Sequence, residues 1–202
     1  MNFNAEQHTL DRKFWEDRAE GVAGIKLLVL ADIEELRWRG ERGSADVIIS
    51  CGDVADGLIL EAVEAYACFR VFAVKGNHDA ATPFPKPIVD LHFNLERAGG
   101  LLFGGFNGCW KYKPRGHFLY EQAEVERPLS HFPHVDVFVA HNSPRGIHER
   151  GDEVHTGFEA FNRYLARCQP TLMVHSHQHI DRETMVGSTR VIGIYGHKLI
   201  EL

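Results

Sequence analysis

The sequence predicts an α/β fold, and three observations lead to that prediction. Apolar runs at residues 25–30, 47–50 and 71–74 have the length and composition of buried strands. Segments with helical character, around residues 35–39 and 58–69, separate them. This βαβαβ order implies parallel strands joined by right-handed crossovers. Polar side chains follow each run, and ligands bind at the carboxyl ends of strands in such sheets.

The composition is that of a globular protein and limits the possible functions. The 202 residues are 44% hydrophobic and 25% charged, which is enough for one domain with a sizeable core. The net charge of −6 implies no general attraction to nucleic acid or to an anionic membrane surface. No apolar run approaches the ~20 residues that span a bilayer. The N-terminus lacks an apolar secretory core, and four widely spaced cysteines form no CxxC pair, so we expect a cytoplasmic protein with reduced thiols.

We expect residues 1–24 to be a helical extension of a domain that covers residues 25–202. Thr9 is a candidate N-cap for a helix that carries Phe14 and Trp15 on an apolar stripe. This helix would pack on the domain or on a partner; the alternative is a frayed terminus.

The second half of the chain predicts further strands and two helices. Residues 89–94 and 101–106 are expected to pair as antiparallel strands around Gly99-Gly100. The remaining predictions are a helix at 119–129 broken by Pro128, a strand at 135–140, a helix within 153–168, and strands at 171–174, 182–186, 189–194 and 198–202.

The predicted strand ends carry side chains that ligate metals. They are Asp32 with Glu34, Asp53, Asn77 with His78, His141, and His177 with His179. Oxygen donors mixed with imidazoles suit Mn, Fe, Zn or Co, whereas Ca and Mg sites are built from oxygen. One shared aspartate can bridge two ions, and two ions ~3.5–4 Å apart can polarise a phosphoryl group and generate hydroxide.

The order of these groups resembles that of the calcineurin-like metallophosphoesterases. The matching motifs are Gly52-Asp53, Gly76-Asn77-His78-Asp79, His141 after its strand, and His177-Gln178-His179. The resemblance covers about residues 25–202. It implies the metallo-dependent phosphatase fold, a four-layer αββα sandwich of two mixed β-sheets flanked by helices. The strands after His179 would then belong to the second sheet.

The resemblance also implies a role for each matching residue. Asp53 would bridge two metals, with Asp32 and His179 on the first and with Asn77, His141 and His177 on the second. His78 would not be a ligand; it would protonate the leaving oxygen or stabilise charge there, and Asp79 would hold its ring. A hydroxide between the metals would attack phosphorus in line.

Two residues depart from the family pattern. Ser176 stands where the family has glycine; we expect this change to affect only the backbone conformation, so it does little to weaken the resemblance. Glu34 replaces a histidine. Two divalent cations, Asp32, Asp53 and a bridging hydroxide leave one net positive charge; a Glu34 carboxylate would cancel it, and Fe(III) at the first site would restore it. Glu34 is therefore a candidate ligand that favours a hard ion; the alternative is that it points to solvent.

Residues around the predicted site leave several alternatives open. Arg145 follows His141 by four residues and would grip a phosphate oxygen, or pair on the surface with Glu149 or Asp152. The basic, aromatic segment at residues 111–117 would form a lid over a phosphorylated substrate, or a solvated loop. His175 would be a spare ligand, a group that supports the ligands, or a satisfied strand-end histidine. His148 would rim the site or be an ordinary surface histidine, and His155 is expected to be structural or exposed.

The sequence thus predicts a metal-dependent phosphoesterase that hydrolyses a phosphomonoester or phosphodiester of a small molecule. Two metal ions are expected, with Mn or Fe favoured. The alternatives are a metal-binding regulatory module without turnover and, because of the basic segment, a nuclease. A membrane partner is not expected, nucleic acid is disfavoured, and an oligomer is possible.

Overall fold

The computed structural model describes residues 24–33 and 42–202. Its strands are β1 (Lys26–Ala31), β2 (Val47–Ser50), β3 (Val71–Ala73), β4 (Val89–Asp90), β5 (Leu95–Ala98), β6 (Leu101–Phe106), β7 (Cys109–Trp110), β8 (Leu119–Tyr120), β9 (Val137–Ala140), β10 (Leu172–His175), β11 (Arg182–Val186), β12 (Thr189–Gly193) and β13 (Gly196–Glu201). The helices in these ranges are α1 (Asp56–Tyr66), α2 (Gln122–Leu129) and α3 (Glu159–Cys168). The predicted N-terminal extension and the predicted helix at residues 35–39 lie outside this description, apart from Gly24, so the domain boundary stays a prediction.

The first sheet has the strand order β13-β1-β2-β3-β4. Strands β1 to β4 run parallel, as the βαβαβ order predicts for the first three, while β13 lies antiparallel to β1. Helix α1 crosses over between β2 and β3 and buries Ile59, Ala62, Val63 and Tyr66, whose spacing places them on one face. It ends at Tyr66, and the capping residue that follows, Ala67, adopts a left-handed φ of 47°.

The second sheet has the strand order β11-β12-β10-β9-β6-β5. Strands β6, β9, β10 and β12 are parallel, and β5 and β11 close its two edges as antiparallel neighbours. A further pair, β7 with β8, lies apart from both sheets.

The alternation of side chains along β1 shows how the layers stack. Leu27 and Val29 point into a core shared with Val139 and Val174 of the second sheet. Leu28 and Leu30 point the other way and pack in a second core with residues of α1. On the outer face of the second sheet, α2 and α3 bury a third core that contains Val125, Phe138 and Phe161. Helix, sheet, sheet and helix therefore form four layers, which confirms the predicted fold class.

The predicted strand at residues 89–94 is wrong, because this segment passes from one sheet to the other. Only Val89–Asp90 is a strand, and it pairs with β3 in the first sheet. The Asp90 carboxylate then accepts the backbone N–H of His92 at 2.9 Å, and Phe93 has a positive φ of 55°, so the strand is interrupted. The antiparallel partner of β6 is instead β5, across the predicted Gly99-Gly100 turn.

The predicted placement of the terminal strands is partly wrong. Strands β11 and β12 belong to the second sheet as expected. Strand β13 returns to the first sheet, because Gly196, with a φ of 91°, turns the chain and Ile200 enters the core between the sheets. In the described ranges, no helix has the length and apolar character that crossing a bilayer requires.

Candidate functional site

The polar strand ends of both sheets meet at one place. Asp32 follows β1, Asp53 follows β2, and His141 follows β9 of the second sheet. Their ligand-type atoms lie within 4.8 Å of one another, although the three residues are far apart in sequence. The carboxyl ends of the strands in the two sheets face each other. They bring together Asp32 and Asp53 from the first sheet and His141 from the second, all three of which were predicted as ligands.

The hydrogen bonds of His141 fix which of its ring nitrogens carries the proton. Its Nδ1 lies 2.9 Å from the carbonyl oxygen of Cys51 and 2.8 Å from Oγ of Ser176. The Ser176 hydroxyl donates its hydrogen to the same carbonyl at 2.6 Å. Because neither partner has a hydrogen to offer, Nδ1 must donate and Nε2 carries a lone pair. Burial lowers the pKa of His141 to about 3, so the ring is neutral.

The lone pair of His141 faces other electron-pair donors. Nε2 lies 3.1 Å from Oδ1 of Asn77 and 3.4 Å from a carboxylate oxygen of Asp53. The amide of Asn77 is oriented by its neighbours: Cys109 Sγ lies 3.2 Å from its oxygen, and its nitrogen donates to Tyr112 Oη at 3.5 Å. A nitrogen lone pair, an amide oxygen and a carboxylate thus converge. This donor set fits a transition-metal cation.

His177 lies beside His141, although it is not one of the three residues whose ligand-type atoms lie within 4.8 Å of one another. Its backbone N–H donates to Asp32 Oδ2 at 2.8 Å, and its Nε2 donates to the carbonyl of Val154 at 3.1 Å. Since Nε2 carries the proton, Nδ1 holds the lone pair, as in a ligand oriented by a second hydrogen bond. The ring lies 4.9 Å from that of His141, and burial lowers its pKa to about 2. His179 is 43% exposed, with Nε2 4.0 Å from Asp32 Oδ1.

Four predicted ligands have a left-handed backbone. The φ angles of Asp32, Asp53, His177 and His179 are 48°, 52°, 66° and 48°. Non-glycine residues rarely adopt this conformation, and such residues cluster at functional sites. Their concentration here indicates that these strand ends are shaped to present side chains.

His78 and Asp79 are arranged differently from the expectation. His78 is exposed, and its backbone N–H donates to Asp53 Oδ1 at 2.8 Å. The Asp79 carboxylate accepts the backbone N–H groups of Gly76 and Asp53, at 2.7 and 2.9 Å. Within the described ranges no hydrogen bond joins it to the His78 ring, so Asp79 holds the Asp53 turn instead. Burial, with the Asp53 charge contributing, raises the pKa of Asp79 to about 6.

A cavity of about 420 Å³ opens beside these residues. It is lined by Asp32, Asp53, Ala55, Asp56, Lys75, His78, Asp79, Ala80 and His179. Lys75 and Asp56 were not predicted. The Lys75 ammonium is buried, 3.3 Å from the Asp56 carboxylate and 3.6 Å from the centre of the Phe84 ring. The sequence feature that could have indicated a place for Lys75 at the site is its position directly before the Gly76-Asn77-His78-Asp79 motif.

Two further side chains around the centre were underestimated from the sequence. Ser176 was expected to affect only the backbone conformation, but its hydroxyl forms a hydrogen bond with His141. His155, treated as structural or exposed, has Nδ1 2.6 Å from Asp152 and its ring 5.0 Å from that of His177. The Asp-x-x-His spacing was the one signal that pointed to this pair.

The peripheral predictions have mixed outcomes. Arg145 Nη1 lies 3.7 Å from Glu149, which is the alternative surface pairing. Lys111 lies 3.5 Å from Glu121, and Lys113 lies over the Tyr112 ring. Glu34 falls outside the described residues, so its proposed ligation stays a prediction.

Known proteins resemble this chain in sequence pattern and in fold. The sequence model of a family described as calcineurin-like phosphoesterase matches residues 28–181. No curated protein matches the chain. Among solved structures, phosphopantetheinyl hydrolase from Mycobacterium tuberculosis is similar, with a TM-score of 0.58 and 16% identity over 86% of this chain and 90% of that one. The protein TT1561 of Thermus thermophilus has a TM-score of 0.53 and 15% identity, with the same coverage. At these identities the likeness shows the fold alone.

Proposed function

Because the chain belongs to the calcineurin-like phosphoesterase family, we propose that it hydrolyses a phosphomonoester or phosphodiester of a small molecule with the help of bound metal ions. One observation carries the proposal: the His141 lone pair, the Asn77 amide oxygen and the Asp53 carboxylate converge within hydrogen-bonding distances although His141 Nε2 has no proton to donate. A cation would stabilise this arrangement because it turns three mutually repelling donors into ligands.

The proposed ligands divide between two positions. Asp53 is shared, Asp32 and His179 complete the first position, and Asn77, His141 and His177 complete the second. When bound, the ions would supply Lewis acidity, which activates water and draws charge from the phosphoryl oxygens.

The chain's own residues supply orientation and a proton. His141 and His177 are neutral at neutral pH, and each donates its one ring N–H to a neighbouring oxygen, so the other ring nitrogen keeps a lone pair for which no proton competes. His78 lines the cavity and is exposed, so it can reach the oxygen of a departing alcohol and protonate it. Lys75 and Asp56 neutralise each other along the cavity wall.

Glu34 and the identity of the metals remain part of the proposal. We assign Glu34 as a ligand of the first position, where its charge favours a hard ion such as Fe(III), with Mn as the other favoured metal. Metal analysis with EPR of the purified protein tests this. Finding only Zn or only divalent Mn would contradict the iron assignment, while leaving hydrolysis itself open to assay.

The hydrolytic function is tested with p-nitrophenyl phosphate and bis-p-nitrophenyl phosphate in the presence of Mn(II). We expect turnover of one or both esters by the wild type and a loss of about 10²–10⁴-fold in kcat for His78→Ala, the usual contribution of general acid catalysis. Metal binding should persist in that variant. Metal binding without turnover of either ester, with any metal, would favour the regulatory module instead.

The remaining assignments follow from composition and environment. We place the protein in the cytoplasm, since Cys51, Cys68, Cys109 and Cys168 are free thiols. A nuclease is disfavoured because the cavity is lined by four aspartates and the lysines of the basic segment are engaged with Glu121 and Tyr112.

A further inference from the structure

Two buried histidines lie behind the candidate metal centre and bond to each other. His148 Nδ1 is 2.9 Å from His175 Nε2, and His148 Nε2 is 2.9 Å from the hydroxyl of Thr184 on the exposed edge strand β11. At the other end, His175 Nδ1 is 3.1 Å from the carbonyl oxygen of Ser176. A continuous chain of hydrogen bonds therefore runs from the sheet edge to the turn that carries His177.

The direction of each hydrogen bond in this chain is determined. The Ser176 carbonyl can only accept, so His175 Nδ1 carries a proton and His175 Nε2 is an acceptor. His148 must then donate through Nδ1, which leaves its Nε2 to accept the Thr184 hydroxyl hydrogen. Both rings are neutral in this pattern, and burial lowers the pKa of each in agreement with it.

In this tautomer the pair is not arranged as a second metal site. An ion between the rings would need two lone pairs aimed at one point. Here a proton lies between His148 and His175, with a lone pair on only one side. The pair is therefore a hydrogen-bonding element, and its effect must pass through Ser176.

Ser176 links the histidine pair to the candidate ligands. Its carbonyl is held by His175, its hydroxyl accepts from His141, and the next residue is His177, whose left-handed backbone depends on the turn. Both rings pack against Gly193, since a Cβ atom at that position would lie 3.0 Å from His175 and 3.1 Å from His148.

We propose that His148 is a positioning residue for the metal centre. Its Nδ1–H holds the tautomer and orientation of His175, and through the Ser176 carbonyl it fixes the turn at residues 176–179. His148 comes from the loop after β9, so it also ties the loop that follows His141 to the turn that presents His177. The proposal rests on the proposed function, because it takes the residues of this turn as metal ligands.

The test uses two variants of equal size and opposite hydrogen-bonding capacity, His148→Asn and His148→Asp. His148 has a φ of 63°, a conformation that asparagine and aspartate both tolerate, so backbone strain is matched. The asparagine amide can donate to His175 Nε2. The aspartate carboxylate can only accept. It either faces the lone pair on His175 Nε2, or it makes His175 carry its proton on Nε2, so that Nδ1 no longer donates to the Ser176 carbonyl.

We expect His148→Asn to bind Mn(II) like the wild type and His148→Asp to bind it about tenfold or more weakly, the range for residues that orient metal ligands. Calorimetric titration of the metal-stripped proteins measures this, and the visible spectrum of bound Co(II) should shift in the aspartate variant alone. Equal Mn(II) binding by the two variants, or a loss as large in His148→Asn as in His148→Asp, would overturn the proposal.

NMR of the histidine rings in the metal-free wild type gives a second readout that does not depend on how the variants fold. It should show protons on Nδ1 of both His148 and His175, and a proton on Nε2 of His175 would overturn the proposal. A wild type that binds no metal would overturn the proposed function together with this role. Normal metal binding with equal variants would overturn only the role of His148.

Discussion

The Asp79 carboxylate accepts the backbone N–H of Asp53 at 2.9 Å, so the turn after β3 holds Asp53 in its position after β2. The same oxygen also accepts the N–H of Gly76, in its own turn. A half-buried carboxylate thus ties two strand ends together beside the candidate shared ligand.

The ionisation of Asp79 should lower the stability of the metal-free protein as pH rises. Its folded-state pKa, about 6, is above the ordinary value of 3.8, so its stabilising contribution is full below 3.8 and is lost as pH rises through 6. The unfolding free energy of the wild type minus that of Asp79→Asn should fall by about 1.4 kcal/mol between pH 5 and pH 7.5. Urea unfolding in EDTA measures it, and a difference that stays constant or rises with pH would contradict the assignment.

Replacement of Asp53 should separate metal binding from folding. Burial raises the pKa of this carboxyl, which means that its charge is costly in the metal-free protein. Without metal, Asp53→Asn should unfold at the same or a higher temperature than the wild type. Mn(II) at a hundredfold excess over its Kd should raise the unfolding free energy of the wild type by about 2.7 kcal/mol, and the variant should lose this stabilisation. Thermal unfolding with and without Mn(II) measures both effects.

The exposed carboxylate of Glu64 on α1 provides the control for Asp53. Glu64→Gln should keep the full metal-dependent stabilisation. If Asp53→Asn also keeps it, Asp53 is not the shared ligand.

Gly76 should not tolerate a side chain. A Cβ atom there would overlap the Asp53 carboxylate and lie 2.7 Å from its backbone nitrogen. Gly76→Ala should therefore cost about 1–3 kcal/mol of unfolding free energy and weaken metal binding, because the Asp53 turn must move.

Gly57 gives the matched comparison for Gly76. It lies in α1 with open space around its Cβ position, so Gly57→Ala should stabilise the protein by about 0.5–1 kcal/mol. Denaturant unfolding of both variants distinguishes steric conflict from a general effect of glycine replacement. Similar shifts in both would argue against the steric account.

The Ser176 hydroxyl should contribute to metal affinity. It lies between His141 and the Cys51 carbonyl, so Ser176→Ala removes one of the two acceptors of the His141 N–H. We expect Mn(II) binding to weaken by about tenfold, with a stability loss of about 1 kcal/mol. Calorimetric titration checks this against Ser188→Ala, which removes an exposed hydroxyl and should leave binding unchanged.

The parts of the fold that the sequence predicted well are those encoded by local pattern. The apolar runs of β1, β2 and β3 are buried on both faces, so each reads as a continuous hydrophobic stretch, and the polar residues that follow mark where the strands end. Asp32, Asp53 and His141 meet because the carboxyl ends of the two sheets face each other, a consequence of topology. Their roles as ligands stay predictions.

The features that were missed depend on contacts between distant residues. His148 reads as a loop histidine in the sequence, and its burial arises from His175 and Thr184, which come much later. Asp79 was expected to hold the His78 ring because the two residues are adjacent, whereas in the structure its carboxylate accepts backbone N–H groups. Strand β13 was misplaced because its hydrophobic pattern fits either sheet.

The return of β13 to β1 has a consequence for how the protein forms. Ile25 and Leu202 exchange backbone hydrogen bonds at 2.9 and 3.1 Å, so the strand that leads into Asp32 acquires one of its two neighbours only after residues 196–201 have left the ribosome. Pairing across so long a loop raises the contact order and slows the search for the native state. We therefore expect the nascent chain to acquire cation affinity late, after the second sheet has assembled, rather than as the early βαβ units emerge.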